Sequence, residues 1–189
     1  MEECGPGRTF LDHPGRGNGG VLTLRSERTT VIVEIAMSAA LAAVLGLIRI
    51  FRMPQGGSVS LEMLPILYLS FRRGAPVGMV GGAVYGFVQL VTDPYIAHPA
   101  QFILDYPVAY TLVGLAGLVP SRPALGVALG TLGRLAIHTC SGAIFFAAYA
   151  WEGWHVWSYS LVYNLSYLVP EAIICGIAIL LILHSRRKA

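Results

Sequence analysis

Long apolar runs separated by short polar breaks dominate this chain of 189 residues. A helix of roughly 20 apolar residues crosses the hydrocarbon core of a bilayer. Because backbone polar groups in lipid must bond within their own segment or close a barrel, unbroken runs favour helices over alternating strands. Six runs are present, at residues 31–50, 61–71, 75–91, 102–119, 125–150 and 156–183. The sequence therefore predicts an all-α integral membrane protein, a bundle of six transmembrane helices.

The composition disfavours several ordinary classes of protein. Charged residues make up only 12% of the chain and hydrophobic residues 55%, whereas soluble domains carry about 25% charged residues. This composition argues against both a water-soluble globule and a disordered chain. The cysteines Cys4, Cys140 and Cys175 are too scattered for a disulfide framework or a CxxC metal site. We expect no metal and no other cofactor.

The basic residues are unevenly distributed between the two sides that six crossings create. If the N-terminus is cytoplasmic, the outer side holds only Arg49 and Arg52. The inner side then holds Arg8, Arg16, Arg25, Arg28, Arg72, Arg73, Arg122, Arg186, Arg187 and Lys188. Because cytoplasmic loops of membrane proteins are enriched in Lys and Arg, we expect both termini to be cytoplasmic.

The N-terminal segment, residues 1–28, is rich in Gly, Arg and Pro and has no helical period. We expect it to be a disordered tail that precedes a membrane domain at residues 29–189. A cleaved signal peptide would need an apolar stretch of roughly 7–15 residues in this segment, and the sequence offers none.

Small residues recur every four positions in two of the runs. One set consists of Gly74, Gly78, Gly82 and Gly86, and the first run contains Ala36 and Ala40. Small residues at this spacing let helix backbones approach closely inside a membrane. Two interpretations of the glycines remain open, packing within the bundle and a docking face for another membrane protein.

Ionisable residues inside a membrane span are costly and point to function. Six stand out, at Glu34, Glu62, Asp105, Arg134, His138 and Glu171. We expect Glu34 and Arg134 to lie at the membrane interface, while Glu62 and Glu171 could simply bond neighbouring helices. Asp105 and His138 are the strongest candidates for a site, because both lie near the outer ends of their runs beside aromatic residues.

Aromatic and amide groups extend this candidate site. His138, Gly142 and Phe146 are four apart and share one helical face. The last run carries Tyr159, with Asn164 close to that strip. A carboxylate, an imidazole, an amide and several rings suit a cationic, planar, hydrogen-bonding organic ligand.

Motifs for catalysis and for nucleic-acid binding are absent from the sequence. It contains no HExxH, no GxSxG and no GxxxxGK[ST]. No basic stripe with interleaved aromatics indicates nucleic acid. A membrane enzyme that uses His138 and Asp105 is the alternative from a different functional class.

Two further stretches carry a family resemblance. They read LPILYLSFRRG, ending at Gly74, and IHTCSGAIFFAAYAWEGWHVWSYSLVYNLSYLVPE, from Ile137 to Glu171. With the segments from Glu34 and from Val80, they resemble the thiamine-specific substrate-binding subunits (S components) of energy-coupling factor (ECF) transporters. The resemblance covers about residues 28–183.

The resemblance implies a six-helix, multi-pass protein of the bacterial cell membrane that binds thiamine near the outer face. Its partners would be an ECF transmembrane coupling subunit and two cytosolic ATPase subunits, which supply the ATP hydrolysis. Ala36 and Ala40 would then belong to the surface that docks the coupling subunit. An S component for another small vitamin, or for a thiamine precursor, remains an alternative.

The resemblance also implies a set of ligand-binding positions. They are Tyr95, Asp105, Tyr106, His138, Gly142, Phe146, Tyr159 and Asn164. This chain departs from the family pattern at Asp105, where glutamate is usual, and at Phe146, where a stacking tryptophan is usual. A tryptophan of the first outer loop has no counterpart, and Ser58 lies near its place. The stacking cage is therefore thinner, and affinity or ligand choice could differ.

Overall fold

Six helices and one short β-hairpin make up the computed structural model, which describes the backbone of residues 18–188 and the side chains of residues 26–186. In chain order the elements are α1 (Asn18–Leu47), β1 (Phe51–Arg52), β2 (Ser58–Val59), α2 (Met63–Arg73), α3 (Ala75–Thr92), α4 (Pro99–Leu118), α5 (Pro123–Phe145) and α6 (Val156–Lys188). The two strands pair antiparallel. The predicted all-α membrane architecture is confirmed.

Four of these helices are long and apolar enough to cross a membrane, namely Ser26–Leu47 within α1, α3, α4 and Val156–Arg186 within α6. At about 1.5 Å per residue, the 11-residue α2 is too short to span alone. α5 has 23 residues but carries Arg134 and His138, which lower its hydropathy. Apolar side chains are exposed around the bundle, as expected for a surface that faces lipid.

Two helix boundaries differ from the sequence-based predictions. The described part of α1 reaches back to Asn18, inside the segment predicted as a tail, and residues 1–17 of that segment lie outside the described residues. α5 ends at Phe145, five residues before the predicted end, and a 3₁₀ turn follows at Ala147–Tyr149. The run continues to be apolar past Phe145, so hydropathy alone could not mark this end.

The glycines of α3 serve packing within the bundle. A Cβ on Gly82 would lie 2.0 Å from the Tyr110 carbonyl oxygen, and one on Gly86 would lie 2.5 Å from the Pro107 Cα. Only glycine permits such backbone contact between α3 and α4. The stripe therefore faces inward, and its interpretation as a docking face for another protein is wrong.

A π-helical turn interrupts α4 at Leu104–Val108. Pro107 lies inside this turn and lacks the N–H that a regular helix would use. Such widened turns are frequent at functional sites because they redirect side chains. Asp105 belongs to the turn, and its direction therefore depends on this local departure from the regular helix.

Three connecting segments meet at one end of the bundle, which we call the hairpin end. They are residues 48–62 with the β-hairpin, residues 93–98 and residues 146–155. Here Asp93 bridges Arg49 at 2.6 Å and Arg52 at 3.2 Å. At the α2–α3 turn, Glu34 pairs with Arg72 and Arg73, as its predicted place at an end of the span requires.

Candidate ligand-binding site

Two adjoining cavities of about 80 Å³ and 40 Å³ open at the hairpin end. Both are lined by Gln55, Asp105, His138 and Phe146. All eight positions that the sequence predicts line one or both cavities, namely Tyr95, Asp105, Tyr106, His138, Gly142, Phe146, Tyr159 and Asn164. Ligand pockets usually measure about 300–1,000 Å³, so a vitamin-sized ligand requires the walls to move apart.

A carboxylate and an imidazole meet between the two cavities. Asp105 Oδ1 lies 3.2 Å from His138 Nδ1, and the two side chains are 15% and 11% exposed. The amide of Gln101 donates a second hydrogen bond of 2.6 Å to Asp105 Oδ2. Helices α4 and α5 thus hold one ionisable pair at the cavity wall, where it is accessible and not fully buried.

Hydrogen-bond partners define the proton position on His138. Arg134 Nε donates to His138 Nε2 at 3.2 Å, and a guanidinium N–H can only donate. Nε2 must therefore be the acceptor nitrogen, which leaves the ring proton on Nδ1. Nδ1 then donates to Asp105, so this geometry describes a neutral imidazole beside an ionised carboxylate.

Below this pair lies a second set of charges, which we call the buried ionic cluster and which consists of Arg134, Glu62 and Glu171. The two terminal nitrogens of Arg134 lie 3.1 Å from Glu171 Oε2 and 3.2 Å from Glu62 Oε1. Tyr85 and Tyr110 donate further hydrogen bonds to Glu62. The expected interfacial position of Arg134 is wrong, because its side chain is only 4% exposed inside the bundle.

A row of tyrosines on α6 forms one wall of the site. The rings of Tyr159, Tyr163 and Tyr167 follow one another at 5.9 Å and 6.3 Å between centroids. The Tyr163 hydroxyl accepts from the Gln55 N–H at 2.9 Å and donates to the Gly56 carbonyl at 3.0 Å. α6 thereby fixes the turn of the β-hairpin above the cavities.

The hairpin turn approaches this wall through glycine. The backbone of Gly57 has φ +86°, which side-chain-bearing residues rarely adopt. A Cβ there would also lie 2.7 Å from the Tyr167 ring. Conformation and space therefore both require glycine where the hairpin covers the site.

Asn164 is already engaged by the protein. Its Nδ2 donates to the Ser160 carbonyl at 2.8 Å and to the His138 carbonyl at 3.3 Å, while its Oδ1 accepts from the Tyr167 hydroxyl at 2.7 Å. The side chain therefore ties α5 to α6 beside the smaller cavity. A ligand contact at this amide requires exchange of one of these bonds.

The loop at residues 93–98 supplies the remaining wall. Tyr106 accepts from the Tyr95 N–H at 2.6 Å and donates to the Asp93 carbonyl at 3.3 Å. The rings of Tyr95 and Phe146 are 5.9 Å apart. Partial burial and a hydrogen bond with Tyr149 raise the pKa of Tyr95, so its hydroxyl stays protonated at neutral pH.

Sequence reasoning did not assign Gln101, Arg134 or Glu62 to the site. Gln101 bonds to Asp105 and to the Tyr95 carbonyl. The available signal was spacing, since Gln101 precedes Asp105 by four residues and Arg134 precedes His138 by four, which places each pair on one helix face. Glu62 carries no such local signal, because its partner Arg134 is 72 residues away.

Ala36 and Ala40 lie away from the two cavities, on an exposed face of α1. Ala40 borders a separate apolar groove of about 620 Å³ between α1, α2 and the end of α6. The structure thus separates the predicted docking positions from the predicted ligand positions. The two sets can act without competing for the same surface.

Known proteins resemble this chain over most of its length. The family model for the thiamine transporter protein (Thia_YuaJ) matches residues 32–189. The thiamine transporter ThiT of Bacillus subtilis is 38% identical, covering 84% of this chain and 92% of that protein. ThiT of Lacticaseibacillus paracasei is 32% identical, covering 73% and 79%.

A solved structure, that of ThiT from Listeria monocytogenes, superimposes with a TM-score of 0.79 at 26% identity. The match covers 86% of this chain and 97% of the other. The fold, the family match and the sequence identities agree, and the chain belongs to the thiamine transporter protein (Thia_YuaJ) family.

Proposed function

We propose that this multi-pass membrane protein is the thiamine-binding S component of an ECF transporter and captures thiamine at the outer face for uptake. The observation that carries the proposal is the Asp105–His138 pair, which lines both cavities within a ring of aromatic side chains. The curated relatives are named thiamine transporters, which supports the same ligand.

The chemistry of the site suits a flat organic cation such as thiamine. An ionised Asp105 attracts the positive thiazolium ring, and at an effective dielectric near 20 a contact at 4 Å is worth about 4 kcal/mol before desolvation. Aromatic faces such as Phe146 and Tyr159 add about 0.5–2 kcal/mol for a cation within reach. Because His138 is neutral in this geometry, it presents no repelling charge to the ligand.

The orientation of the bundle follows from the charges at its two ends. Arg72 and Arg73 lie at the end opposite the site, where they pair with Glu34. The two arginines of the hairpin end, Arg49 and Arg52, both pair with Asp93. Arg28, Arg122 and Arg186 also belong to the end opposite the site, so that end carries more basic residues than the hairpin end. By the positive-inside rule it faces the cytoplasm, the cavities open outward and both termini are cytoplasmic.

Uptake requires partners that supply energy. The exposed positions Ala36 and Ala40 on α1 are small enough to let a helix of the ECF coupling subunit approach the backbone there, between larger exposed apolar side chains such as Val33 and Met37. Two cytosolic ATPase subunits complete the transporter. In this division of labour the chain binds its ligand without chemical change, in the lipid bilayer and without nucleic acid.

Calorimetry on the purified protein tests the proposal. Thiamine titrated at micromolar concentration, without ATP, is expected to give saturable heat at one site per chain and to quench tryptophan fluorescence. Absence of heat from a folded sample would reject thiamine as the ligand. Recovery of chemically altered thiamine would instead support the membrane-enzyme alternative.

A thiamine precursor is the second candidate ligand. Phe146 offers a smaller stacking surface than the tryptophan expected from the family pattern, and Asp105 is one methylene shorter than glutamate. Both changes weaken contacts to the ligand and leave more room. A panel of thiamine, its isolated pyrimidine and its isolated thiazolium, measured under the same conditions, ranks the candidates by affinity.

A further inference from the structure

Arg134 divides its donors between two kinds of partner. Its two terminal nitrogens donate to the carboxylates of Glu62 and Glu171. Its Nε donates to His138 Nε2 at 3.2 Å. The guanidinium also lies over the Tyr110 ring at 4.3 Å. A planar guanidinium that is hydrogen-bonded to Glu62, Glu171 and His138 has little freedom to rotate, so the direction of its Nε–H bond is fixed.

That bond restricts what His138 can do. An imidazole nitrogen that accepts a hydrogen bond cannot carry a proton at the same time. With Nε2 occupied, the ring keeps a single proton on Nδ1, where it donates to Asp105. The ring cannot become a cation unless the bond from Arg134 breaks.

We infer that Arg134 is a positioning residue for cation selectivity: it keeps His138 neutral and in the Nδ1–H form, so that the Asp105 carboxylate is the only charge of this pair presented to a ligand. The inference rests on the proposed function, because it explains why a cationic ligand is preferred. Arg134 acts through His138, although its side chain also borders the larger cavity.

Every ionisable group that faces His138 is consistent with this role. From α4 it meets Asp105, and from its own helix Arg134. From α6 the Tyr167 ring lies 6.3 Å away, edge-on. Glu62 and Glu171 reach the imidazole only through the guanidinium between them. Glu62 and Glu171 thus hold the guanidinium in place, and Arg134 is the member of the cluster that contacts the ring.

Side-chain ¹⁵N NMR of the ligand-free protein tests the inference directly. With ¹⁵N-labelled histidine, and the signal assigned by its loss in His138→Gln, we expect a protonated Nδ1 and an unprotonated Nε2 near neutral pH. A wild-type ring that carries its proton on Nε2, or on both nitrogens, would overturn the inference. This measurement needs no ligand, so it is independent of the identity of the vitamin.

Arg134→Lys gives the second test. The single nitrogen of lysine keeps the positive charge between the two carboxylates, which draw it away from His138. We expect His138 to lose the fixed Nδ1–H form, because Nε2 no longer accepts a hydrogen bond from Arg134 and is free to carry a proton. Thiamine affinity should drop at least tenfold at pH 6, while an analogue with an uncharged ring in place of the thiazolium should lose less than threefold.

Glu171→Gln is the matched control. It removes one charge from the buried ionic cluster but leaves the bond from Arg134 to His138, so the ratio of thiamine to neutral-analogue affinity should match wild type. Equal losses for both ligands in Arg134→Lys would show a merely structural role. If wild type binds neither ligand, the proposed function fails, while the NMR result still decides the inference.

Discussion

Among the described residues, the two acid–base groups that include a side chain of α5 differ in accessibility. The Asp105–His138 pair is 15% and 11% exposed and borders both cavities. The buried ionic cluster of Arg134, Glu62 and Glu171 is at most 4% exposed. One helix, α5, carries the basic member of each. The charges of the pair remain accessible to a ligand, whereas the charges of the cluster are neutralised by one another inside the bundle.

This difference has an energetic consequence. Removal of one partner from a fully buried pair leaves the other charge without water or counter-charge, which costs about 3–5 kcal/mol. At the cavity wall, water replaces a lost partner at much lower cost. Substitutions of the cluster carboxylates Glu62 and Glu171 should therefore act mainly on stability, and substitutions in the pair should act on binding.

The largest expected effect is that of Glu62→Leu. It removes one of the two carboxylates that pair with Arg134 and also the acceptor for Tyr85 and Tyr110, so we expect a loss of about 3–5 kcal/mol of stability, measured as thermal or denaturant unfolding in detergent. Glu34→Leu is the control, because Glu34 is likewise an ion-paired carboxylate, with Arg72 and Arg73, but its side chain is 21% exposed. Equal losses in both variants would contradict the comparison.

Asp105→Asn and His138→Ala test the accessible pair. Each should weaken thiamine binding at least tenfold, about 1.4 kcal/mol, because the first removes the attracting charge and the second the group that orients it. Unfolding midpoints should stay near wild type. Calorimetry gives the affinities, and Asp93→Asn, outside both cavities, is the control. Wild-type affinity in both variants would refute the site assignment.

Phe146→Trp should increase the affinity of the candidate site for thiamine. A larger ring beside Tyr95 restores stacking surface and is expected to tighten thiamine binding two- to fivefold, about 0.5–1 kcal/mol. Phe145→Trp is the matched control, since Phe145 stacks on His98 at 5.0 Å and lines neither cavity. Unchanged or weaker binding of Phe146→Trp in the calorimeter would mean that ring size does not limit affinity.

Arg52→Gln is expected to have the smallest effect on stability of the variants compared. Arg52 is 54% exposed and pairs with Asp93 at 3.2 Å, where Arg49 provides a second, closer partner. Exposed pairs contribute about 0–1 kcal/mol, so the unfolding midpoint should barely change. A loss comparable to that of Glu62→Leu would show that exposure does not govern the cost.

Hydropathy was sufficient to predict the membrane helices but not all their ends. The runs around α3 and α6 begin and stop at Gly, Pro or charged residues, and their predicted starts agree with the structure. α1 already includes Asn18, in a Gly-containing stretch that precedes the long apolar run. The shape of the hairpin depends on contacts with Tyr163 and Tyr167, more than a hundred residues further along the chain.

The candidate site divides in the same way. Asp105 and His138 could be identified because ionisable residues are rare in apolar runs, and the structure places them in contact. Arg134 was misplaced because its partners Glu62 and Glu171 are 72 and 37 residues away in sequence. Local patterns indicate which polar residues are costly, but only the fold indicates which of them neutralise each other.

The glycine contacts between α3 and α4 have a mechanical consequence for the candidate site. Backbones that touch without intervening side chains have no soft layer to deform, and a single residue, Gly74, joins α2 to α3. Asp105 therefore belongs to a rigid unit formed by α2, α3 and α4. Any movement that enlarges the cavities must therefore occur on the facing side, where two hydrogen bonds of the Tyr163 hydroxyl hold the turn of the β-hairpin.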